Sequence, residues 1–100
     1  MYILASGESM FPTLKNGEYY KLDVVQDNNF NVGDIIVYKM KGTVICHRII
    51  DVYLTRSNRI FIKTKGDNCK CADRYAVTID KIVGKINLYN NDWKKIFDNY

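Results

Sequence analysis

The sequence has no long hydrophobic run and no recognisable export signal. No apolar stretch approaches the roughly 18 residues that a membrane-spanning helix requires. The longest ones, at residues 2–5 and 35–38, have the length of a strand. There is also no charged segment followed by an apolar one, as in a secretory signal. We therefore expect a cytoplasmic protein, anchored in a membrane only if the chain is a fragment of a longer one.

Cysteine is scarce and odd in number. The three cysteines, Cys46, Cys69 and Cys71, cannot all pair within one chain, which favours reduced thiols over a disulfide scaffold. Together with His47 they offer four groups that zinc can bind. However, the paired cysteines of a zinc knuckle are normally separated by two residues, and here one residue separates them. We expect neither a metal site nor a cofactor.

Charge of one sign does not dominate the chain. Fifteen Lys and Arg against eleven Asp and Glu leave a formal net charge of +4, and the two signs are interspersed. No basic stripe or known nucleic-acid motif is present, so we expect no nucleic-acid partner. A length of 100 residues, 47% of them hydrophobic, is typical of one globular domain. We expect a single domain over residues 1–100.

Segments rich in β-branched and aromatic residues, separated by turn signals, make up most of the chain. Lys41 and Gly42 separate two of these segments at the spacing of a hairpin. The predicted strands are residues 18–25, 34–40, 43–54, 59–65 and 81–89. This pattern predicts a mainly β fold, in which a curled antiparallel sheet forms a barrel-like domain.

One short helix is predicted at the C-terminus. Asn91 or Asp92 can cap it, and Trp93, Ile96 and Phe97 share one of its faces. We expect this apolar face to cover the open end of the sheet. Peripheral contact with a membrane surface is the alternative that the sequence leaves open.

Three segments contain residues that can carry chemistry, and each has two interpretations. The loop at residues 5–14 is either an ordinary turn, or a constrained turn that presents a serine together with converging backbone N–H groups. His47, the only histidine, is either a structural strand residue or a base. The polar loop at residues 63–75 either makes a turn, or supplies an aspartate that orients an imidazole.

Taken in order, these segments resemble a known family. The stretches SGESMFPTL, VGDIIVY, CHRII and TKGDN…ADRY are similar to the successive motifs of the signal peptidase I and LexA-like clan of serine peptidases. The resemblance covers roughly residues 5 to 85. It implies that Ser9 is the nucleophile, that His47 is the base and that Asp73 completes a triad. A histidine in place of the bacterial lysine resembles the Ser-His branch of the endoplasmic reticulum and archaea.

The resemblance also implies a function and a set of binding residues. It predicts a serine endopeptidase that cleaves a leader or signal-like segment from a peptide or protein through an acyl-enzyme. The backbone N–H of Ser9 would hold the oxyanion, helped by a neighbour among Ser6, Gly7 and Glu8. Met10 would help to shape pockets for small substrate side chains. The expected partner is a substrate with an extended cleavage segment that lies along a sheet edge.

Two departures from the family pattern leave an alternative open. No membrane-anchoring helix precedes the serine motif, and Ser6 stands one residue further from Ser9 than in bacterial signal peptidases. In this spacing the chain is nearer to the self-cleaving repressors, but neither a DNA-binding domain nor an Ala-Gly cleavage segment precedes Ser9, so we do not expect self-cleavage of that kind. The alternative to an enzyme is a catalytically inactive relative that binds extended peptides in the same groove.

Overall fold

The hairpin of β3 (Ile35–Met40) and β4 (Thr43–Leu54) lies at the centre of the fold. In the computed structural model, which describes residues 1–24 and 28–88, Lys41 and Gly42 form the two-residue turn between them. Both turn residues have positive φ, +51° and +77°. Such a turn matches the right-handed twist of the flanking strands, and glycine adopts it without steric cost. The predicted hairpin is therefore confirmed.

Seven strands form one sheet in which every pairing is antiparallel. The other five strands are β1 (Tyr2–Leu4), β2 (Tyr19–Asp23), β5 (Ile60–Lys65), β6 (Val77–Thr78) and β7 (Ile82–Asn87), with a 3₁₀ turn at Ile79–Lys81. Their order across the sheet is β1-β2-β7-β3-β4-β5-β6. The mainly β, antiparallel class is confirmed. However, among the described residues β1 and β6 remain unpaired edges, so the sheet does not close into a barrel.

The bounds of the predicted strands agree with the structure to within one or two residues where the structure describes them. The prediction for β4 has the observed ends, whereas β1 and β6, of three and two residues, were not predicted as strands. The predicted C-terminal helix lies outside the described residues. Within residues 1–24 and 28–88 no helix is long and apolar enough to cross a membrane.

Strand β3 is buried on both sides, because the sheet carries an apolar cluster on each face. Ile35 and Val37 belong to one cluster, and Ile36 and Tyr38 belong to the other. The first cluster also contains Met10, Leu14, Tyr20, Leu22 and Ile86; the second contains Ile49, Ile62 and Val77. Since successive side chains of a strand point to opposite faces, a strand with two cores needs the continuous apolar run that β3 has.

Strand β4 changes partners halfway along its length. Its first half pairs with β3 as far as Arg48, and its second half pairs with β5 from Arg48 onward. The register shifts between Ile49 and Asp51, which marks an irregularity at the junction. As a result, the edge of residues 43–47 that faces away from β3 is not paired with β5. This open edge borders the candidate site.

Candidate active site

Three distant residues meet beside this open edge. The Nε2 atom of His47 lies 3.1 Å from the hydroxyl of Ser9, and its Nδ1 atom lies 2.5 Å from Oδ2 of Asp73. Ser9 belongs to the turn that follows β1, His47 to β4, and Asp73 to the loop that follows β5. The imidazole is largely shielded from solvent, with 13% of its side chain exposed. The structure thus brings together the alcohol, imidazole and carboxylate that the sequence singled out.

The turn that carries Ser9 is held by its own polar groups and by one buried side chain. The N–H of Gly7 donates to Oδ1 of Asn16 at 2.9 Å. The N–H of Phe11 donates to the carbonyl of Glu8 at 3.1 Å. Met10, immediately after Ser9, is 4% exposed and belongs to an apolar cluster. Anchoring of the following residue fixes the direction in which the Ser9 side chain leaves the backbone.

A second loop, residues 66–69, packs against the carbonyl side of Ser9. The backbone N–H of Asn68 donates to the Ser9 carbonyl at 2.8 Å, and the Asn68 side-chain amide donates to the Glu8 carbonyl at 3.0 Å. Gly66 allows this approach: a Cβ at that position would lie 2.7 Å from the Ser9 oxygen and 3.2 Å from Nε2 of His47. Gly66 and Asn68 are site residues that the sequence reasoning did not assign.

Asp73 is held by two buried hydroxyl groups in addition to the imidazole. Its Oδ2 accepts a hydrogen bond from Thr64 at 2.6 Å and another from Tyr38 at 3.2 Å. Its backbone N–H donates to the Thr64 carbonyl at 2.8 Å. Thr64 and Tyr38 are 0% and 1% exposed. Neither was predicted as a site residue, since a threonine and a tyrosine within strands indicate ordinary sheet packing.

Arg48, the residue after His47, binds the loop of residues 66–69 through an ion pair with Asp67. Nε and Nη2 of Arg48 donate to the two carboxylate oxygens of Asp67, at 2.8 and 2.7 Å. Thr13, from the Ser9 turn, donates to Asp67 at 2.6 Å. The hydrogen bonds from Arg48 hold the pKa of Asp67 below its usual value and raise the pKa of Arg48. Asp67 therefore joins the loop, β4 and the serine turn.

Two other titratable groups near the imidazole are neutral at pH 7. Burial raises the pKa of the Tyr38 phenol to about 12, and burial likewise raises the pKa of the Cys46 thiol to about 12. The Cys46 thiol is thus protonated, and Tyr38 remains a hydrogen-bond donor. All three cysteines are free, and no cluster of metal-ligating side chains occurs in residues 1–24 and 28–88.

An apolar groove of about 470 Å³ opens beside Ser9 and His47. Its lining comprises Ile3, Leu4, Ala5, Ser6, Gly7, Ser9, Met10, Leu14, Val44, Ile45, Cys46 and His47. Of the predicted binding residues, Ser6, Gly7 and Met10 line it. Glu8 is not one of the lining residues, and its carbonyl is bonded to Phe11 and Asn68.

The groove runs between two strand edges. The N–H of Ala5 donates to the Glu18 carbonyl and the Ala5 carbonyl accepts from the N–H of Gly17, just before β2, so by alternation the main-chain groups of Leu4 face away from β2. Met40 and Thr43 close the two-residue turn, so by the same alternation the N–H and carbonyl of Val44 and Cys46 face away from β3. Both sets of main-chain groups lie outside the described strand pairings.

Relatives of the chain share one description. The signal peptidase complex catalytic subunit of Dictyostelium discoideum is 37% identical to it over 68 residues, which cover 66% of this chain and 37% of the relative. The subunit SEC11C of Homo sapiens is 34% identical over 74 residues, which cover 72% of this chain and 38% of the relative. This chain is a homologue of signal peptidase catalytic subunits. No protein-family model matches it.

The relationship to signal peptidase catalytic subunits confirms the resemblance stated from the sequence motifs. The chain spans less than half the length of these relatives. The names of the relatives give no support to the cytoplasmic location that we expected from the sequence. They describe catalytic subunits of a signal peptidase complex.

Proposed function

We propose that this protein is a serine endopeptidase that cleaves a leader or signal-like segment from a peptide or protein. Ser9 acts as the nucleophile, His47 as the general base and Asp73 as the residue that orients His47. One observation carries the proposal: both ring nitrogens of the only histidine are engaged, one with the Ser9 hydroxyl at 3.1 Å and the other with the Asp73 carboxylate at 2.5 Å.

The first half of the reaction forms an acyl-enzyme. Asp73 accepts the Nδ1–H of His47, which leaves Nε2 unprotonated and able to take the hydroxyl proton of Ser9. The Ser9 oxygen attacks the scissile carbonyl, and the imidazolium then gives its proton to the leaving amine as the C–N bond breaks. In the second half, water gives a proton to His47 and attacks the ester, and Ser9 leaves with that proton.

Backbone N–H groups of the Ser9 turn stabilise the negative oxygen of the tetrahedral intermediate. The N–H of Ser9 is one donor. The N–H of Gly7 is already bonded to Asn16, so the second donor comes from Ser6 or Glu8. Removing one such donor typically raises a barrier by about 3 kcal/mol.

The substrate segment binds in extended form between β1 and β4. Main-chain groups of Leu4, Val44 and Cys46 supply the hydrogen bonds that set its register, and the apolar floor of the groove receives its side chains. The groove contains no charged side chain among its described lining residues. Apolar or small side chains therefore suit the positions before the cleaved bond.

A serine-directed acylating probe tests the proposal. We expect the probe to label the wild-type protein once, and Ser9→Ala and His47→Ala to remove the labelling. Ser57→Ala is the matched control, because Ser57 lies on the distant loop between β4 and β5 and bonds only locally to Thr55. A signal-peptide substrate cleaved equally by wild type and Ser9→Ala would overturn the proposal. Binding without cleavage would instead support the peptide-binding alternative.

A further inference from the structure

The carboxylate of Asp73 receives an unusual number of donors on a single oxygen. His47, Thr64 and Tyr38 all hydrogen-bond to Oδ2, at 2.5, 2.6 and 3.2 Å. The Tyr38 hydroxyl also lies 3.1 Å from the Thr64 hydroxyl, so the two hydroxyl groups and the carboxylate form one connected network. Only the imidazole of this network reaches the groove.

We propose that Thr64 and Tyr38 are positioning residues that hold Asp73 against His47 and set the pH at which His47 becomes a base. This inference rests on the function proposed above. Thr64 and Tyr38 touch neither Ser9 nor the groove among the described contacts, so they act through the carboxylate alone.

Because Thr64 and Tyr38 are buried, their hydroxyl groups depend on the Asp73 carboxylate as a hydrogen-bond acceptor. Both hydroxyl groups are removed from water, so a hydroxyl without a partner there carries a substantial free-energy cost. The carboxylate is their nearest strong acceptor, and their two hydrogen bonds fix the plane and direction of Asp73. The burial-raised pKa of Tyr38, about 12, keeps the phenol protonated as a donor over the whole working range of pH.

The effect on His47 has a definite sign. Each hydroxyl donor disperses negative charge on Oδ2 and so weakens the attraction of the carboxylate for a protonated imidazole. Removing the Thr64 hydroxyl therefore stabilises the imidazolium, and the pKa of His47 rises. It also destabilises the ionised form of Asp73. Both changes move the acid limb of the activity profile to higher pH.

Other charged or titratable groups around this pair do not explain such a shift. Two thiols lie near His47 and Asp73: the neutral one of Cys46 on β4, and that of Cys69 beside the Ser9 carbonyl. The charged groups nearby are the mutually paired Arg48 and Asp67, Lys65 at the end of β5, and exposed Arg74 next to Asp73. None of them hydrogen-bonds to Oδ2 among the described contacts, and none changes when Thr64 is replaced.

An NMR titration of His47, the single histidine of the chain, tests the proposal directly. In wild type, the ring protons of His47 are followed by NMR as pH changes, without need of a substrate. Thr64→Val, which keeps the shape but removes the hydroxyl, is expected to raise the pKa of His47 by about half to one unit. Tyr38→Phe is expected to raise it by less, because its hydrogen bond to Asp73 is longer. Thr64→Ser restores the donor and is expected to restore the wild-type value.

A kinetic measurement accompanies the titration. The acid limb of kcat/KM against pH is expected to move upward in Thr64→Val by the same amount as the titration and to return in Thr64→Ser. A Thr64→Val protein that is merely less stable, with the His47 titration unchanged, overturns the positioning role. If instead the titrations shift as expected but Ser9→Ala cleaves as well as wild type, the proposed function fails, and only the hold of the two hydroxyl groups on the Asp73–His47 pair is supported.

Discussion

Gly66 lies where the backbone of one loop approaches both Ser9 and His47. A methyl group there would meet the Ser9 carbonyl at 2.7 Å, the Cys69 sulfur at 2.8 Å and His47 Nε2 at 3.2 Å. The backbone oxygen belongs to the turn that carries Ser9, the proposed nucleophile, so the turn must move to relieve the clash. A glycine at this position is thus a requirement of the site as well as of the loop.

We expect Gly66→Ala to lower kcat at least a hundredfold, because displacement of Ser9 by even one ångström misaligns its hydroxyl with Nε2. Overpacking of this kind also costs about 1–3 kcal/mol of stability. The two effects are measured as initial rates and as the free energy of unfolding.

Gly84→Ala is the matched control for the steric cost. A Cβ at Gly84 would lie 2.4 Å from the Asp23 carbonyl, in the β2–β7 pair and away from the site. This variant is expected to lose stability while its folded fraction keeps the wild-type kcat. Equal losses of kcat in both variants would show that Gly66 has no special relation to Ser9.

At the scale of single residues, the sequence predicted the three reacting side chains only through the family resemblance. Residue patterns alone left Ser9 and His47 with structural interpretations, and their roles remain predictions. Thr64 and Tyr38 could not be found, because their function depends on which loop carboxylate folds over them. The contacts of Asp67 with Arg48 and Thr13 indicate a structural role.

At the scale of secondary structure, the open edge of β4 carries main-chain groups that its pairing with β3 does not use. The Val44 N–H points away from β3, so β4 keeps its pairing with β3 even when this group is removed. Proline is tolerated at such an edge position because it removes a donor that the sheet does not use.

We expect Val44→Pro to raise KM about tenfold with a smaller change in kcat, because one substrate hydrogen bond is lost in both the ground state and the transition state. Val44→Thr keeps both the N–H and the β-branched shape, and it is the control. Steady-state kinetics on an extended signal-peptide substrate distinguish the two variants. An unchanged KM in a folded Val44→Pro protein would exclude Val44 from the substrate register.

Predictability also varies between elements for a physical reason. The β3–β4 hairpin was predicted correctly because its turn chemistry and its two apolar runs are adjacent in sequence. Strands β1 and β6 are two or three residues long and exist through pairing with β2 and β5. A segment that short has no periodicity of its own, so only the distant partner reveals it.

For the whole molecule, the polar junction at Asp67 connects segments that are far apart in sequence. Arg48 donates to Asp67 and also, through Nη1, to the Gly33 carbonyl at 2.8 Å, while Thr13 bonds to Asp67 from the serine turn. Four separate chain segments therefore depend on one ionised carboxylate. Its protonation weakens the fold as a whole.

The pH dependence of stability follows from the lowered pKa of Asp67. A carboxyl with a lowered folded pKa stabilises fully above its unfolded pKa of about 3.9, and this stabilisation is lost as pH falls through the folded value. We expect Asp67→Asn to lower the free energy of unfolding by about 1–2 kcal/mol at pH 7, a value reduced for the partial exposure of Arg48.

Denaturant unfolding from pH 7 to pH 2 checks this expectation. The difference between wild type and Asp67→Asn is expected to shrink as the solution becomes more acidic. Asp51→Asn, at an exposed position of β4, is the control and is expected to follow the wild-type curve. A difference that stays constant down to pH 2 would show that the ionised carboxylate does not stabilise the junction.

The alternation of side chains along β4 restricts how this strand can change in length. Ile45, His47 and Ile49 point to one face, and Cys46 and Arg48 to the other. Loss of a single residue between the Lys41-Gly42 turn and His47 would move Arg48 into the position that His47 now occupies. A permanent cation would then face Ser9, and the imidazole would point toward Asp67. Insertions and deletions of odd length in this stretch are therefore expected to separate His47 from Ser9, because they exchange the two faces of the strand.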